Sequence, residues 1–134
     1  MNKTERIFAL TYFFVVVVAF HGCHHSTELE TVATEIILST GFESDSVQVS
    51  IDNNIQHCAR VTTNIYDGYA WFGSAVRLSK GYHNYTVSMV SDSNHWSKVL
   101  ELSGDLTVIV HYDRVTKSFG YETVSGMVER VGHN

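Results

Sequence analysis

Eight histidines, two cysteines and a cluster of aromatic side chains are the parts of this 134-residue chain with chemistry to offer. His57, His83, His95 and His111 fall in four separate segments with no HxH or HxxxH spacing, so nothing presets the geometry of a metal centre. His24 and His25 adjoin each other near the start, where a mobile pair holds copper or zinc only loosely because it must first be ordered. No metal site and no cofactor is expected. Ser, Asp and His meet in "SDSNH", residues 91–95, but a triad is made of oriented groups in a cleft, and "SDSN" is a turn sequence. Cys58 follows His57 directly, and neighbours on a strand point to opposite faces, a poor arrangement for a nucleophile and its base. There is no GxSxG, no phosphate-binding glycine loop and no carboxylate pair at a useful spacing, so the reading is not an enzyme. What remains is "IYDGYAWFGSAV", residues 65–76, which sets Tyr66, Tyr69, Trp71 and Phe72 around two glycines. On an exposed loop these four aromatics form a ligand-binding surface that stacks on sugars or anchors a protein partner. The competing reading is that Trp71 and Phe72 cap one end of the core.

The elements that must position these residues are strands. From Thr34 onward the apolar residues alternate with period two, the mark of strands with one buried face. Ile36, Leu38 and Phe42 share a parity, as do Val47, Val49 and Ile51. Asp52, Asn53 and Asn54 then supply a tight turn, and Ala59, Val61 and Ile65 are read as the next inward row. Val76 and Leu78 precede a turn at "SKG". Tyr85, Val87 and Met89 follow in register, with His83 on the same parity beside the core, and Trp96, Leu100 and Leu102 come after "SDSN". The clearest strand is "DLTVIVHYD", with Leu106, Val108, Val110 and Tyr112 inward and Thr107, His111 and Asp113 outward. Residues 119–124 pair with it as the last strand. About seven or eight strands separated by short turn clusters, no proline and no helical spacing predict an all-β fold, a single antiparallel β-sandwich of immunoglobulin-like architecture. The domain is read as residues 34–124, with 125–134 as a frayed C-terminal tail.

The first 22 residues have the layout of a secretory signal peptide: Lys3 and Arg6 outweigh Glu5, and residues 7–20 are apolar apart from Thr11 and Tyr12. Fourteen residues make roughly 21 Å of helix, short of the ~30 Å hydrocarbon core of a bilayer, so a permanent transmembrane helix is not expected. The end of the run, Gly22-Cys23, resembles a bacterial lipoprotein signal, in which a small residue at the cut precedes a cysteine that is acylated. Phe20 and His21 depart from that family's preference for Leu and a small residue. The resemblance implies lipidation at Cys23, membrane contact through that lipid anchor, and, with His24 rather than Asp following, outer-membrane retention in a Gram-negative cell. The alternative is an ordinary cut after Ala19 and a soluble secreted protein, in which Cys23 meets an oxidising compartment with Cys58 as its only possible disulfide partner. Residues 23–33, polar and without a strand period, are read as a tether of roughly 35 Å at full extension.

The formal charge is -5, and loss of the leader makes it more acidic by one, so a phosphate backbone is repelled and nucleic acid is not an expected partner. "VQVSIDN" followed by "VRLSKGYHNYTVSM" is similar to the small extracellular β-sandwich modules of the transthyretin-like and PEGA-like kind over residues 45–112. That resemblance implies a binding or scaffolding module, usually without catalysis; the lipid anchor places it at the cell envelope, and the aromatic loop gives it a protein or carbohydrate partner. A structural subunit that assembles through a sheet edge is the other expectation. "NYT", residues 84–86, fits the N-glycosylation pattern, which matters only in a eukaryotic source.

Overall fold

The computed structural model describes residues 28–128, and their order is nine strands: β1 (Thr31–Leu38), β2 (Asp45–Ile51), β3 (Asn54–Val61), β4 (Trp71–Phe72), β5 (Val76–Ser79), β6 (Gly81–Met89), β7 (His95–Leu102), β8 (Leu106–Asp113) and β9 (Ser118–Ser125). They form two sheets, one holding β1, β4, β5, β8 and β9, the other in the order β3-β2-β6-β7. The fold is an all-β sandwich. The strand beyond the sequence reading is β4, too short to carry a period of its own. β1 starts at Thr31, so the last three residues of the stretch read as a tether are already strand. The leader, Cys23, His24 and His25 lie outside the described residues.

The alternating residues make the core. Val47, Val49, Tyr85, Val87, Val108 and Val110 are all fully buried, and Ile36, Leu38, Ile51, Met89 and Tyr112 join them in one cluster between the sheets. Two adjoining residues, Asp52 and Asn53, take φ of 49° and 65°, the left-handed pair that a two-residue hairpin turn requires, and Asn and Asp tolerate it. One pairing departs from the antiparallel expectation: β1 runs parallel to β8, from Thr34 beside Leu106 to Leu38 beside Val110. Both strands are buried on both faces, Ile37 and Ile109 as well as their inward neighbours. The continuous apolar runs "IIL" and "VIV" fit that environment better than strict alternation does.

The outer face over β1 and β8 is covered by the segment that follows β9. The Gly126 amide donates to Asp105 O at 2.7 Å, and Thr107 Oγ1 lies 2.9 Å from Gly126 O and 3.1 Å from the buried Glu35 carboxylate, its single proton shared between the two acceptors. Gly126, Met127 and Val128 therefore belong to the folded unit, where a frayed tail was expected. Their order rests on these hydrogen bonds, which pair backbone groups of Gly126 with Asp105 and Thr107.

A further correction concerns β3. The register shifts between Val49 and Ser50, where Gln56 is the extra residue of a bulge. Ala59, opposite Val47, is exposed at the sheet edge, and Ile65 lies beyond the strand, 87% exposed. Only Val61 of that expected inward row is buried.

The base of the sandwich is tied by His83, which a strand pattern placed beside the core and whose side chain is 11% exposed. Its Nδ1 lies 2.6 Å from Asp52 Oδ2 and its Nε2 lies 2.7 Å from Ser79 O. Both neighbours accept, so both ring nitrogens donate and the imidazole is held as its cation. The Asp52 hydrogen bond raises the His83 pKa above 6.5 against the opposing pull of burial. Burial alone would raise Asp52, but the hydrogen bonds from His83 and the Asn84 amide outweigh it and hold the carboxyl below 3.8. On the opposite edge, burial lowers His57 below 6.5.

These three shifts set a two-sided pH profile. The His83 contribution is complete below pH 6.5 and is lost as pH rises through its raised folded value. The His57 contribution is present above 6.5 and fades as pH falls toward its lowered value, and Asp52 follows at still lower pH, below 3.8. Urea unfolding across pH 4 to 9 is expected to show greatest stability near the ordinary histidine pKa, with His83→Gln flattening the alkaline limb and His57→Phe the first part of the acid limb. An alkaline limb unchanged in His83→Gln contradicts the assignment.

Candidate functional site

The aromatic stretch forms a loop between β3 and β4, at the end of the sandwich opposite His83. Its entry is pinned to the β1–β2 connection. Thr63 N donates to Phe42 O at 2.8 Å, the Thr63 hydroxyl donates to Ser39 O and accepts from Phe42 N, and Ser44 N donates to Thr62 Oγ1. Within the loop, Asn64 Oδ1 accepts from Tyr66 N and Asp67 Oδ1 from Tyr69 N, both at 2.9 Å, which is the local side-chain turn that these residue types favour. Gly68 N reaches Asn64 O, and Asn64 N reaches Tyr69 O. The exit is fixed by Ala70 N to Leu38 O and Gly73 N to Ile36 O. The backbone is thus bonded at its entry, tip and exit, without regular secondary structure in the turn itself.

This scaffold separates the four aromatics. Trp71 stands opposite Leu38 and so faces inward, against the core, with its ring stacked on His57 at 4.6 Å and 28°. Phe72, opposite Ile37, faces outward and is half-buried against Tyr69, ring centroids 4.8 Å apart. Tyr66 is 90% exposed at the tip, and Ile65, which strand parity had placed inside, stands beside it. Trp71 therefore belongs to the capping alternative, and the exposed surface is Tyr66 with Ile65. Neither exposure was legible in composition. The signal that could have found it is Asn64 and Asp67, each placed to bond the amide two residues on, which turns the intervening residues outward.

Two more connections meet at this end. Arg114 Nη1 lies 2.8 Å from Asp45 Oδ2, and its Nε 3.5 Å from Glu43 Oε2. Val90 N donates to Ser46 O, and the Asn94 amide donates to Tyr112 OH at 3.1 Å. Val115 and Thr116 amides both donate to Asp113 Oδ1, and these backbone hydrogen bonds hold the Asp113 carboxyl below its ordinary range. Val115 is 93% exposed and Val90 59%. Three loops bonded around residues 39–46 thus raise Ile65, Tyr66, Val90 and Val115 into solvent at one end.

"SDSN" is the β6–β7 turn, with Ser93 at φ 58° and Met89 N bonded to Asn94 O. Cys58 is exposed on β3, while His57 faces Trp71. His111 is exposed on β8, its ring lying over Gly120, and His95 is exposed at the start of β7. Among the described residues no three His, Cys, Asp or Glu side chains come together as a metal site, and no helix is long and apolar enough to cross a membrane. Asn84 of "NYT" sits within β6 and accepts from Ser97 Oγ at 2.8 Å. No protein-family model matches the chain, and no curated protein matches it.

Proposed function

We propose that the protein is an exported, non-catalytic binding module of the cell envelope, held to the membrane by lipid on Cys23, that engages a protein or carbohydrate partner through the loop end carrying Tyr66 and Ile65. The observation that carries this reading is the pairing of exposure with order: two large apolar side chains, 90% and 87% exposed, on a backbone fixed by hydrogen bonds along its length. An ordered loop loses little conformational entropy on binding, so its exposed side chains contribute more of their contact energy to affinity. A lone exposed apolar residue needs no explanation, but four at one end form the kind of surface that partners cover.

The chain's direction supports the same arrangement. Thr31 pairs with Ser79, and Ser125 with Leu106, so both ends of the described chain leave from the base, opposite the loops. A tether from Cys23 therefore leaves the loop end unobstructed. The aliphatic opening run and Gly22-Cys23 support acylation; the intact mass of the mature protein from membranes separates a triacylated Cys23 from a cut after Ala19.

The binding half of the proposal has its own test. Paired Ile65→Ser and Tyr66→Ala substitutions are expected to leave the melting temperature within a few degrees and to abolish partner binding, which a partner identified by cross-linking from the native envelope makes measurable. Trp71→Ala is expected to behave differently: with its ring on His57 and the core, truncation costs about 2 kcal/mol of stability. Retained binding in the double variant, with the fold intact, overturns the assignment of the site.

A further inference from the structure

The sandwich has open sheet edges, and they are not alike. An edge strand offers a row of unpaired N–H and C=O groups to any extended chain, and folded proteins blunt that edge with bulges, interruptions or inward-pointing charge. β3 is broken by the bulge at Gln56 and carries Arg60. The β4/β5 edge is interrupted by residues 73–75. On β7, Lys98 stands opposite the buried Tyr85, on the inner face, with its ammonium 5.7 Å from the Tyr121 ring, an inward charge at an edge. β9 has none of these. It runs eight residues in unbroken register with β8, from Ser118 beside Asp113 to Ser125 beside Leu106, and bears one charge, Glu122. Among the described residues no strand pairs with its outer side.

We infer that β9 is a self-association edge, at which a second copy of this chain adds its own β9 to make one continuous sheet across two sandwiches. The occupant follows from the chemistry of the strand. A backbone edge of this length takes another extended backbone, and the copy supplies one of matching length without any ordering of a disordered peptide. Charge sets the direction. A parallel in-register pairing sets Glu122 against its own counterpart, whereas an antiparallel two-fold pairing centred on Tyr121 sets Glu122 against the partner's Gly120, and Phe119 against the partner's Thr123. Tyr121 already packs on Trp96 at 5.2 Å between centroids, so the residue at the two-fold axis is held before association. The antiparallel arrangement puts the two loop ends at opposite ends of the dimer. This inference is independent of the loop-binding proposal, since β9 and the Tyr66 loop are separate surfaces.

The test uses the full chain as the expressing cell processes it. Sedimentation velocity over a concentration series is expected to show a monomer–dimer equilibrium, and Thr123→Lys, which copies the inward charge of β7, is expected to weaken it at least tenfold while circular dichroism and thermal melting stay unchanged. In a Cys23→Ser, Cys58→Ser background, Tyr121→Cys is expected to give a disulfide-linked dimer on mild oxidation that the background alone does not give, and this holds the proposal testable should the lysine variant fold poorly. A wild-type chain that remains monomeric throughout the series overturns it. So does a dimer that survives a well-folded Thr123→Lys but is lost in Tyr66→Ala, since the contact then lies at the loop end.

Discussion

Gly41→Ala is expected to destroy the cooperative fold. Gly41 takes φ +94°, and a Cβ built on it lies 1.6 Å from the Tyr112 carbonyl oxygen and 2.6 Å from the carbonyl carbon. Both obstacles are backbone, in a strand fixed on either side, because Tyr112 N donates to Thr40 O and Ser39 N to Val110 O. Relief therefore requires β1 and β8 to part where their pairing continues into the turn. The next residue, Phe42, is fully buried with its amide on Thr63 Oγ1, so a shift at position 41 carries into the core and the aromatic loop together. Positive φ alone costs an alanine about 1 kcal/mol, and the clash adds several more, for a total above ~4 kcal/mol. Domains of this size have roughly 5–15 kcal/mol to lose. Gly68→Ala supplies the contrast: its φ is +75°, yet the nearest atom to the new Cβ is Thr40 Cγ2 at 3.8 Å, so only the conformational cost of about 1 kcal/mol applies. Chemical denaturation of the two variants measures the difference. A Gly41→Ala protein that melts within a few degrees of Gly68→Ala contradicts the account.

That contrast also shows which features local sequence carries. Alternation alone identifies Val47, Val49 and Ile51, and Tyr85, Val87 and Met89, because burial on one face of a strand follows from a period that is intrinsic to the backbone. The Asp52-Asn53 turn is legible for the same reason: the residue types answer to φ values that the turn itself imposes. What alternation cannot carry is pairing across distance. The parallel contact of β1 with β8 joins residues about seventy apart, and Gly41 gives no sign in the sequence that Tyr112 stands over it. β3 ends at Val61, and parity carried four residues past that end assigned the exposed Ile65 to the core.

The candidate site fails in the sequence for a related reason. Tyr66, Tyr69, Trp71 and Phe72 are chemically alike as large aromatics, and their fates are decided by which side of β1 each one meets. Trp71 beside Leu38 goes in, Phe72 beside Ile37 goes out, and Tyr66 precedes the pairing altogether. A one-residue change of register exchanges the first two. The proposed leader and acylation at Cys23 stand apart from these questions, since a signal of that kind is read by composition and order along the chain and not by a fold.

Tyr85→Ala is expected to cost about 4 kcal/mol, at the upper end for a single core truncation. Tyr85 belongs to β6 in one sheet, is fully buried, and sends its hydroxyl across the sandwich to Thr34 Oγ1, 2.9 Å away in β1 of the other. Thr34 donates its own proton to Leu106 O at 2.9 Å, so the tyrosine is the donor of the inter-sheet bond. Burial raises the phenol pKa above 10, which keeps that proton in place throughout the neutral range. Truncation removes an aromatic ring from between two sheets whose strands are each fixed by their own ladders, so the cavity closes poorly and its cost adds to the lost transfer energy. Tyr85→Phe separates the two contributions: the ring stays and only the hydrogen bond goes, for about 1–2 kcal/mol including the Thr34 lone pair left without a donor. Thr34→Val removes the other partner, and a cycle of the two single variants and the double is expected to return a coupling of about 1 kcal/mol. Urea unfolding of the four proteins gives all of these values. Additive single effects mean that the hydroxyls are not bonded to each other, and the pin between the sheets then rests on the packing of the Tyr85 ring alone.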